Sequence, residues 1–241
     1  MDFIRTKWGI PVRDIWFKES CGAEGKSLLS IAYNLYEPLS NATGIALKKW
    51  HSQTFVSDIS VSPEEIQAKF KSKVRNEIRR AIKEGITTSL HYSAELKNND
   101  IIVDFDRAYI AMYQDKGQKA KSIASRLIGI AKAGKLAISV AYLPDGTIAA
   151  YHSYVIGDGI VRLLHSVSVF REESEKRKMI GWANRLLHFK DMCLFGGDGT
   201  SLYDWGGLSR EEKMRNITRF KEEFGGIEKT VYYYVIMGNY L

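Results

Sequence analysis

The pattern of residues 136–169 constrains the fold more than any other part of the sequence, because the apolar residues switch there to a period of two. Leu136–Leu143 and Ile148–Ile156 each read as a strand, and the segment PDGT between them has the composition of a hairpin turn. A second turn, Gly157-Asp158-Gly159, leads into a third strand over Ile160–Val169. The sequence therefore predicts three consecutive antiparallel strands.

Helices and strands alternate after these three strands. A helix is predicted from about Arg177 to Leu194, and a short strand over Ser201–Trp205. Ser209 and Glu212 form a capping box for another helix, and Thr230–Met237 closes the chain as a strand. An antiparallel meander followed by such crossovers predicts an α/β (α+β) fold with a mixed, mostly antiparallel sheet flanked by helices.

A basic amphipathic helix is predicted over 63–84, before Gly85. The segment Ser62-Pro63-Glu64-Glu65 starts it, since a capping Ser precedes Pro at the first helical position and Glu lies three residues after the cap. One side of this helix is apolar. The other side carries Lys69, Lys73, Arg79, Arg80 and Lys83.

The element order suggests two units. Residues 1–60 read as short strands, and together with the basic helix they form a degenerate N-terminal half-lobe at 1–100. The second domain, 101–241, starts with helices predicted near Asp104–Gln114 and Ser122–Ala133 and continues with the three-stranded meander.

Composition excludes several classes of protein. Lys and Arg exceed Asp and Glu by 35 − 28 = 7 in the 241 residues, which suits an anionic partner such as a nucleic acid or a phosphate-bearing metabolite. Cys21 and Cys193 lie far apart without metal-ligand spacing, so we expect neither a disulfide framework nor a metal site. We expect no membrane span and a cytoplasmic protein, because the sequence lacks a long apolar run and an apolar secretion signal.

Two glycine pairs flank the predicted helix near the C-terminus. Gly206 and Gly207 follow the strand Ser201–Trp205, at a strand end where open sheets bind ligands. Gly225 and Gly226 follow the helix and read as a cap and turn. We therefore expect the first pair to leave space for a substrate and the second to be structural.

An anion site is predicted where the strand 160–169 meets the helix that follows it. Arg177, Lys178 and Gly181 lie in the first turns of that helix, whose free N–H groups favour an anion. The alternative is that Arg177 and Lys178 belong to a solvated face and that Gly181 makes room for packing. We expect the sheet to open beside this strand.

Three segments resemble a known family. Lys178-Met179-Ile180-Gly181-Trp182-Ala183 is similar to the Q/R-x-x-G-x-G/A phosphate loop of the GNAT acyltransferase superfamily, with Lys in the first position. Phe70–Ile86 resembles the R-N-x-I-R-K-A-x-K-x-G-V helix of the FemAB-like branch of that superfamily. Tyr203–Gly207, followed by the segment Arg219–Gly226, resembles the Y-D-F-G-G … F-K-x-x-F-G-G signature of the same branch. The resemblance covers roughly residues 50–237.

This resemblance implies an N-acyltransferase. The donor would be an activated acyl group, acyl-CoA as the co-substrate, and the acceptor an amine of a nucleotide sugar or of a cell-envelope or polysaccharide precursor. The alternative within the branch is transfer from aminoacyl-tRNA, although no sustained heptad pattern predicts a coiled-coil arm for tRNA. A non-catalytic nucleic-acid binder is a third possibility, but no recognised nucleic-acid motif supports it.

Candidate roles then follow for individual residues. Asp204 could be a base with a raised pKa, could orient the acceptor amine, or could fix the turn at the following glycines. His165 could relay a proton or be a core residue, and Tyr203 could be a general acid or pack in the core.

The resemblance implies two binding sets. The donor set is Ser166, Val167, Ser168, Arg177, Lys178 and Gly181. The acceptor set is Arg75, Arg79, His152, Gly206, Gly207 and Lys221. Arg75 and Arg79 could instead brace the two halves of the chain.

Overall fold

The computed structural model describes residues 1–7, 9–17, 27, 29–39, 45–98, 100–169, 174–208, 211–212 and 215–237. The strands are β1 (Asp2–Lys7), β2 (Ile10–Trp16), β3 (Leu29–Leu35), β4 (Ile45–Asp58), β5 (Thr87–Tyr92), β6 (Leu136–Tyr142), β7 (Ile148–Gly157), β8 (Ile160–Ser168), β9 (Leu202–Gly207) and β10 (Ile227–Met237). The helices are α1 (Pro63–Ala68), α2 (Ser72–Lys83), α3 (Asp100–Asp115), α4 (Ala124–Lys132), α5 (Ser174–Gly197) and α6 (Arg215–Glu222), with a short 3-10 helix at Glu95–Asn98.

All ten of these strands form one sheet in the order β1-β2-β3-β10-β4-β9-β8-β7-β6-β5. Its neighbouring strands are antiparallel except for β2 with β3 and β8 with β9. The predicted mixed, mostly antiparallel sheet is therefore confirmed, and β6, β7 and β8 are the predicted meander.

Helices cover both faces of the sheet. On β6, Leu136, Ile138 and Val140 pack in the core beneath α3 and α4. The small residues Ala137 and Ala141 alternate with them and lie in the opposite core, where α2 and α5 pack. This alternation of side chains across one strand is what allows a central sheet to carry two apolar layers.

The predicted helix 63–84 is wrong in one respect, because it consists of two helices. Lys71 between them has extended backbone torsions, φ −60° and ψ 150°, and its N–H donates to the carbonyl of Glu223 at 2.8 Å. Gly225 lies against the same break, with its own φ at +74°. A contact from the far end of the chain, beyond the reach of local sequence patterns, therefore interrupts the helix.

Other boundaries shift by a few residues. α5 starts at Ser174 and continues through Gly197, past the predicted end at Leu194. β9 includes Gly206 and Gly207, which were expected to lie beyond the strand. The proposed cap Ser209 and the cysteine Cys21 lie outside the described residues.

The sheet is continuous across the expected division at 100/101. β10 lies between β3 and β4, so the C-terminal strand is inserted among N-terminal strands. The division of the chain into units at 1–100 and 101–241 stays a prediction.

We predict that Gly225→Ala destabilises the chain more than Gly134→Ala does. Both glycines have a positive φ, +74° and +72°. Either alanine therefore destabilises the chain by about 1–2 kcal/mol, because a residue with a Cβ disfavours this left-handed backbone region. A Cβ at Gly225 would also lie 2.5 Å from the Lys69 carbonyl oxygen, whereas Gly134 has open space. Urea denaturation measures both free energies of unfolding. Equal losses would contradict the close approach at the α1–α2 break.

Candidate active site

The sheet opens between β8 and β9. These strands pair in parallel over three residue pairs, and the last pair joins Arg162 to Asp204. Beyond it, β8 stays with β7 as far as Ser168, and β9 stays with β4 as far as Gly207. The two strands therefore diverge, and one edge of β8 faces the resulting gap.

A cavity of about 540 Å³ occupies this gap. Its walls come from β8 and β9, from α3 on one face of the sheet, and from α5 and α6 on the other. The wall residues that matter most below are Arg162, His165, Ser166, His188, Gly207 and Lys221. The opening expected beside strand 160–169 is thus present, and it connects the two faces of the sheet.

Asp204 lies at the point where the strands diverge and is fully buried. Its carboxylate accepts hydrogen bonds from Asn34 Nδ2 at 2.6 Å, Tyr36 OH at 2.6 Å, Thr54 Oγ1 at 2.5 Å, the Gly206 N–H at 2.8 Å and Arg162 Nη1 at 2.9 Å. Burial acts to raise the pKa of Asp204, but the Arg162 charge and these hydrogen bonds outweigh it and hold the pKa below its ordinary value. The expected raised pKa is therefore wrong. The bond from Gly206 fits the alternative in which Asp204 fixes the turn, while its catalytic role stays a prediction.

Gly206 has a positive φ of +78° inside β9, beside a register shift between β4 and β9. A Cβ at this position would lie 3.1 Å from the Leu163 carbonyl oxygen, so glycine allows β9 to approach β8 at the edge of the gap. Gly207 has open space around it and lines the cavity. Gly206 therefore shapes the opening, and Gly207 leaves room in the cavity.

Lys221 reaches the cavity from α6. Its Nζ donates to the carbonyl oxygens of Gly207 at 2.7 Å and Gly206 at 3.2 Å. Within the described residues no carboxylate lies at ion-pair distance from it. Burial, followed by the charge of Arg162, lowers the pKa of Lys221 to about 8.

A chain of buried polar groups leads from the cavity into the core beneath α5. The hydroxyl of Tyr203 lies 2.8 Å from His188 Nδ1 and 2.9 Å from the hydroxyl of Tyr154. Tyr154 in turn donates to Asp191 Oδ2 at 2.6 Å. The same carboxylate oxygen contacts Ser139 Oγ at 2.7 Å and His152 Nδ1 at 3.0 Å. His188 lines the cavity, whereas Tyr203, with an exposed fraction of 0 %, lies behind it.

His165, the predicted proton relay on β8, also lines the cavity. Burial, with a smaller effect of Arg126, lowers its pKa to about 4, so the ring is neutral. Its Nε2 is buried without a hydrogen-bond partner among the described residues. No described group therefore orients the His165 ring by a hydrogen bond, whereas the His188 ring is oriented by the Tyr203 hydroxyl.

The predicted donor set is only partly brought together. Ser166 and Ser168 line the cavity, whereas the Val167 side chain is buried in the core beneath α3 and α4. Arg177, Lys178 and Gly181 lie in the first two turns of α5, outside the cavity wall.

The predicted acceptor set is divided as well. Gly206, Gly207 and Lys221 line the cavity. His152 is fully buried, with Nε2 2.8 Å from the side-chain amide oxygen of Asn184. The half-buried Arg75 donates to the Phe70 carbonyl and the exposed Arg79 donates to Asn76 Oδ1, and neither residue lines the cavity.

Sequence reasoning missed several residues at or behind the cavity, among them the polar residues of α5 and β8. Asn184, His188 and Asp191 share one face of α5 at spacings of four and three residues, and Arg162 lies opposite Asp204 on β8. The signal available was a polar stripe on the core side of a largely apolar helix.

Comparisons with known proteins identify the fold. No protein-family model matches the sequence, and no curated protein matches it. A crystal structure of FemX superimposes with a TM-score of 0.61 at 13% identity, over 76% of this chain and 61% of the FemX chain. The chain has the fold of FemX. The expected likeness to the FemAB-like branch of the GNAT superfamily is thus confirmed at the level of the fold, although the chain spans only 61% of the length of FemX.

Two further structures share this FemX-like fold. One is the C-terminal domain of a candidate lysylphosphatidylglycerol synthetase from Agrobacterium fabrum, with a TM-score of 0.56 and 13% identity over 86% of this chain and 67% of that one. The other is L-PGS from Bacillus licheniformis, with a TM-score of 0.51 and 12% identity over 85% and 67%.

No described helix combines the length and apolar character required to cross a bilayer. Groups of three or more potential metal ligands are likewise absent from this part of the chain.

We predict that Asp204→Asn lowers the free energy of unfolding by about 3–5 kcal/mol, because it leaves the buried Arg162 guanidinium without its counter-charge. The pKa of Asp204 is lower in the folded chain than its ordinary value of 3.8. The ionised carboxylate therefore stabilises the folded state above pH 3.8, and this stabilisation is lost as the pH falls further. The difference from wild type should therefore shrink in acid. Asp115→Asn, at an exposed carboxylate, is the control in urea denaturation. A loss no larger than the control's would contradict the buried ion pair.

We predict that wild type gains stability relative to Lys221→Met between pH 8 and 10. The folded pKa of Lys221 is about 8 and its ordinary value 10.5, so the unfolded chain binds more protons across this range. The gain over this range should be roughly 2 kcal/mol by linkage. Lys190→Met, at an exposed lysine of α5, is the matched control and should show no such gain. A pH-independent difference for Lys221→Met would show that the lysine titrates normally.

Proposed function

We propose that this chain is an N-acyltransferase that moves an acyl group from an activated donor, in the first instance acyl-CoA, to an amine of a nucleotide sugar or of a cell-envelope or polysaccharide precursor. The observation that carries the proposal is the gap between β8 and β9. It leaves an edge of β8 unpaired beside a cavity large enough for a small ligand.

The unpaired edge of β8 offers what acyl transfer needs. Attack of an amine on an acyl carbonyl places negative charge on the carbonyl oxygen, and fixed backbone N–H groups stabilise that charge. A carbonyl lying beside Ser166 or Ser168 would meet this edge within the cavity. The donor set of Ser166, Val167 and Ser168 thus remains our proposal, with Val167 acting through its backbone.

The charge of the cavity suits a phosphate-bearing substrate. Lys116, Arg162 and Lys221 line it, and no carboxylate is among the described residues of its wall. Arg162 is neutralised by Asp204, but Lys221 faces only carbonyl oxygens. A bound anion would supply the missing counter-charge, as both nucleotide-linked acceptors and coenzyme A could.

We predict that filling the cavity abolishes donor binding. Gly207→Leu adds a side chain at the cavity wall, where its Cβ would have no neighbour within 4 Å, so it fills part of the gap. Gly197→Leu makes the same change in open space at the end of α5, away from the cavity. Calorimetry with acetyl-CoA should show binding to wild type and Gly197→Leu and none to Gly207→Leu.

Turnover is tested on the same three proteins. Wild type mixed with acetyl-CoA and a panel of nucleotide-linked amino sugars should release free thiol. If wild type neither binds acetyl-CoA nor releases thiol with any acceptor, acyl-CoA is rejected as the donor. Binding that survives Gly207→Leu would reject the β8–β9 gap as the donor site.

The second candidate is an aminoacyl-tRNA-dependent transferase. The FemX-like fold favours it, because the FemAB-like branch includes transferases that use aminoacyl-tRNA, and the chain has a surplus of seven positive charges. It predicts tRNA binding whose affinity falls steeply as salt rises. The absence of a gel shift with tRNA at low salt would remove this candidate.

A further inference from the structure

We propose that His188 is the proton acceptor for the attacking amine, held with its proton on Nδ1 by a hydrogen-bonded chain that ends at Asp191. This inference rests on the proposed acyl transfer and names the residue that performs its proton step. Tyr203 and Tyr154 are positioning residues in this scheme, since they act through His188.

The carboxylate of Asp191 sets the direction of every hydrogen bond in the chain. This buried carboxylate accepts hydrogen bonds, so Tyr154 donates its single proton to Oδ2 over 2.6 Å rather than to His152 Nδ1, which lies 2.9 Å from the Tyr154 hydroxyl. The oxygen of Tyr154 is then free to accept from Tyr203. Because the Tyr203 hydroxyl donates its only proton to Tyr154, it must accept a hydrogen bond from His188.

This order fixes the state of the histidine ring. His188 Nδ1 carries the proton, because it donates to the Tyr203 hydroxyl over 2.8 Å. In a neutral imidazole the other nitrogen, Nε2, then holds a lone pair. Nε2 has no hydrogen-bond partner among the described residues, and His188 is part of the cavity wall.

The surroundings keep the ring neutral. Burial lowers the pKa of His188 well below its ordinary value, and the charges of His152, Lys221 and Arg185 lower it further. His152 from β7 stacks on the ring at a centroid distance of 4.0 Å, while Tyr203 and Asp191 face it through the chain. An unprotonated ring is the form that a base requires.

The step conserves atoms and charge. The neutral amine attacks the acyl carbonyl carbon of a thioester or ester donor, a C–N bond forms, and the amine proton passes to His188 Nε2. The bond from the carbonyl carbon to the leaving sulfur or oxygen then breaks, and the imidazolium returns that proton to the leaving group. His188 ends in its starting state.

His165 is the competing base on the same cavity. It is neutral as well, but its buried Nε2 has no partner among the described residues, and no carboxylate-terminated chain selects its tautomer. The two histidines can therefore be separated by their tautomers as well as by the effects of substitution.

The decisive experiment is long-range proton–nitrogen NMR on the full chain labelled with ¹⁵N-histidine near neutral pH. His188→Gln assigns the resonance, which should show a protonated Nδ1 and an unprotonated Nε2. Tyr203→Phe removes the acceptor of the Nδ1 proton and should abolish this tautomer preference in a folded protein, an effect that mere packing by Tyr203 would not produce. A protonated Nε2 in wild type would overturn the proposal.

Activity measurements complete the test. With acetyl-CoA and the amine that turns over, His188→Gln should lower kcat by about 10²–10⁴-fold, the range for general base catalysis, with little change in KM. His51→Gln, at an exposed histidine outside the cavity, is the matched control. An unchanged kcat in His188→Gln with a large loss in His165→Gln would assign the base to His165.

The two proposals fail in different ways. If NMR shows the predicted tautomer but no donor supports transfer, acyl transfer is rejected, and the role of His188 as a base is rejected with it. Transfer by wild type with a protonated Nε2 would reject His188 alone.

Discussion

The ion pair between Arg162 and Asp204 is the interaction on which the rest of the site depends. It joins the last paired residues of β8 and β9, so it lies where the parallel pairing stops and the gap begins. Burying two charges is costly unless the geometry is good and the remaining polar atoms are satisfied. Five hydrogen bonds to Asp204 meet that condition, which ties the position of the opening to one arrangement of these strands.

The partners of Asp204 also explain why the N-terminal strands belong to the site. Asn34 and Tyr36 come from β3 and the residue just beyond it, and Thr54 comes from β4. These strands flank β10, so the last described strand of the chain lies in the middle of the sheet. A carboxylate more than 140 residues away in sequence therefore holds together elements from both halves of the chain.

The fold was predictable where the information is local. Alternating apolar residues and two tight turns define β6, β7 and β8, and the Ser62 capping box defines the start of α1. The break between α1 and α2 was not predictable, because it depends on the Glu223 carbonyl and on the close approach of Gly225. The lowered pKa of Asp204 escaped prediction for the same reason, since four of its five hydrogen-bond donors come from distant segments or from another strand.

The candidate site was predictable in position more than in chemistry. Gly206 and Gly207, at the end of β9, border the gap, whereas Arg177, Lys178 and Gly181 of α5 lie outside the cavity wall. The role of the polar stripe Asn184, His188 and Asp191 could not be inferred from the sequence. Its hydrogen-bond partners Tyr154 and Tyr203 lie on β7 and β9, and only the fold brings them opposite α5.

β9 carries two adjacent residues with opposite tasks. Because successive side chains of a strand point to opposite faces, Tyr203 lies beneath α5 and Asp204 lies on the other side of the sheet. Asp204 fixes where β8 and β9 separate, and Tyr203 fixes the tautomer of a histidine at the cavity that results. A one-residue shift of β9 would exchange their faces and destroy both networks, so the register between Arg162 and Asp204 couples the shape of the gap to the chemistry we propose within it.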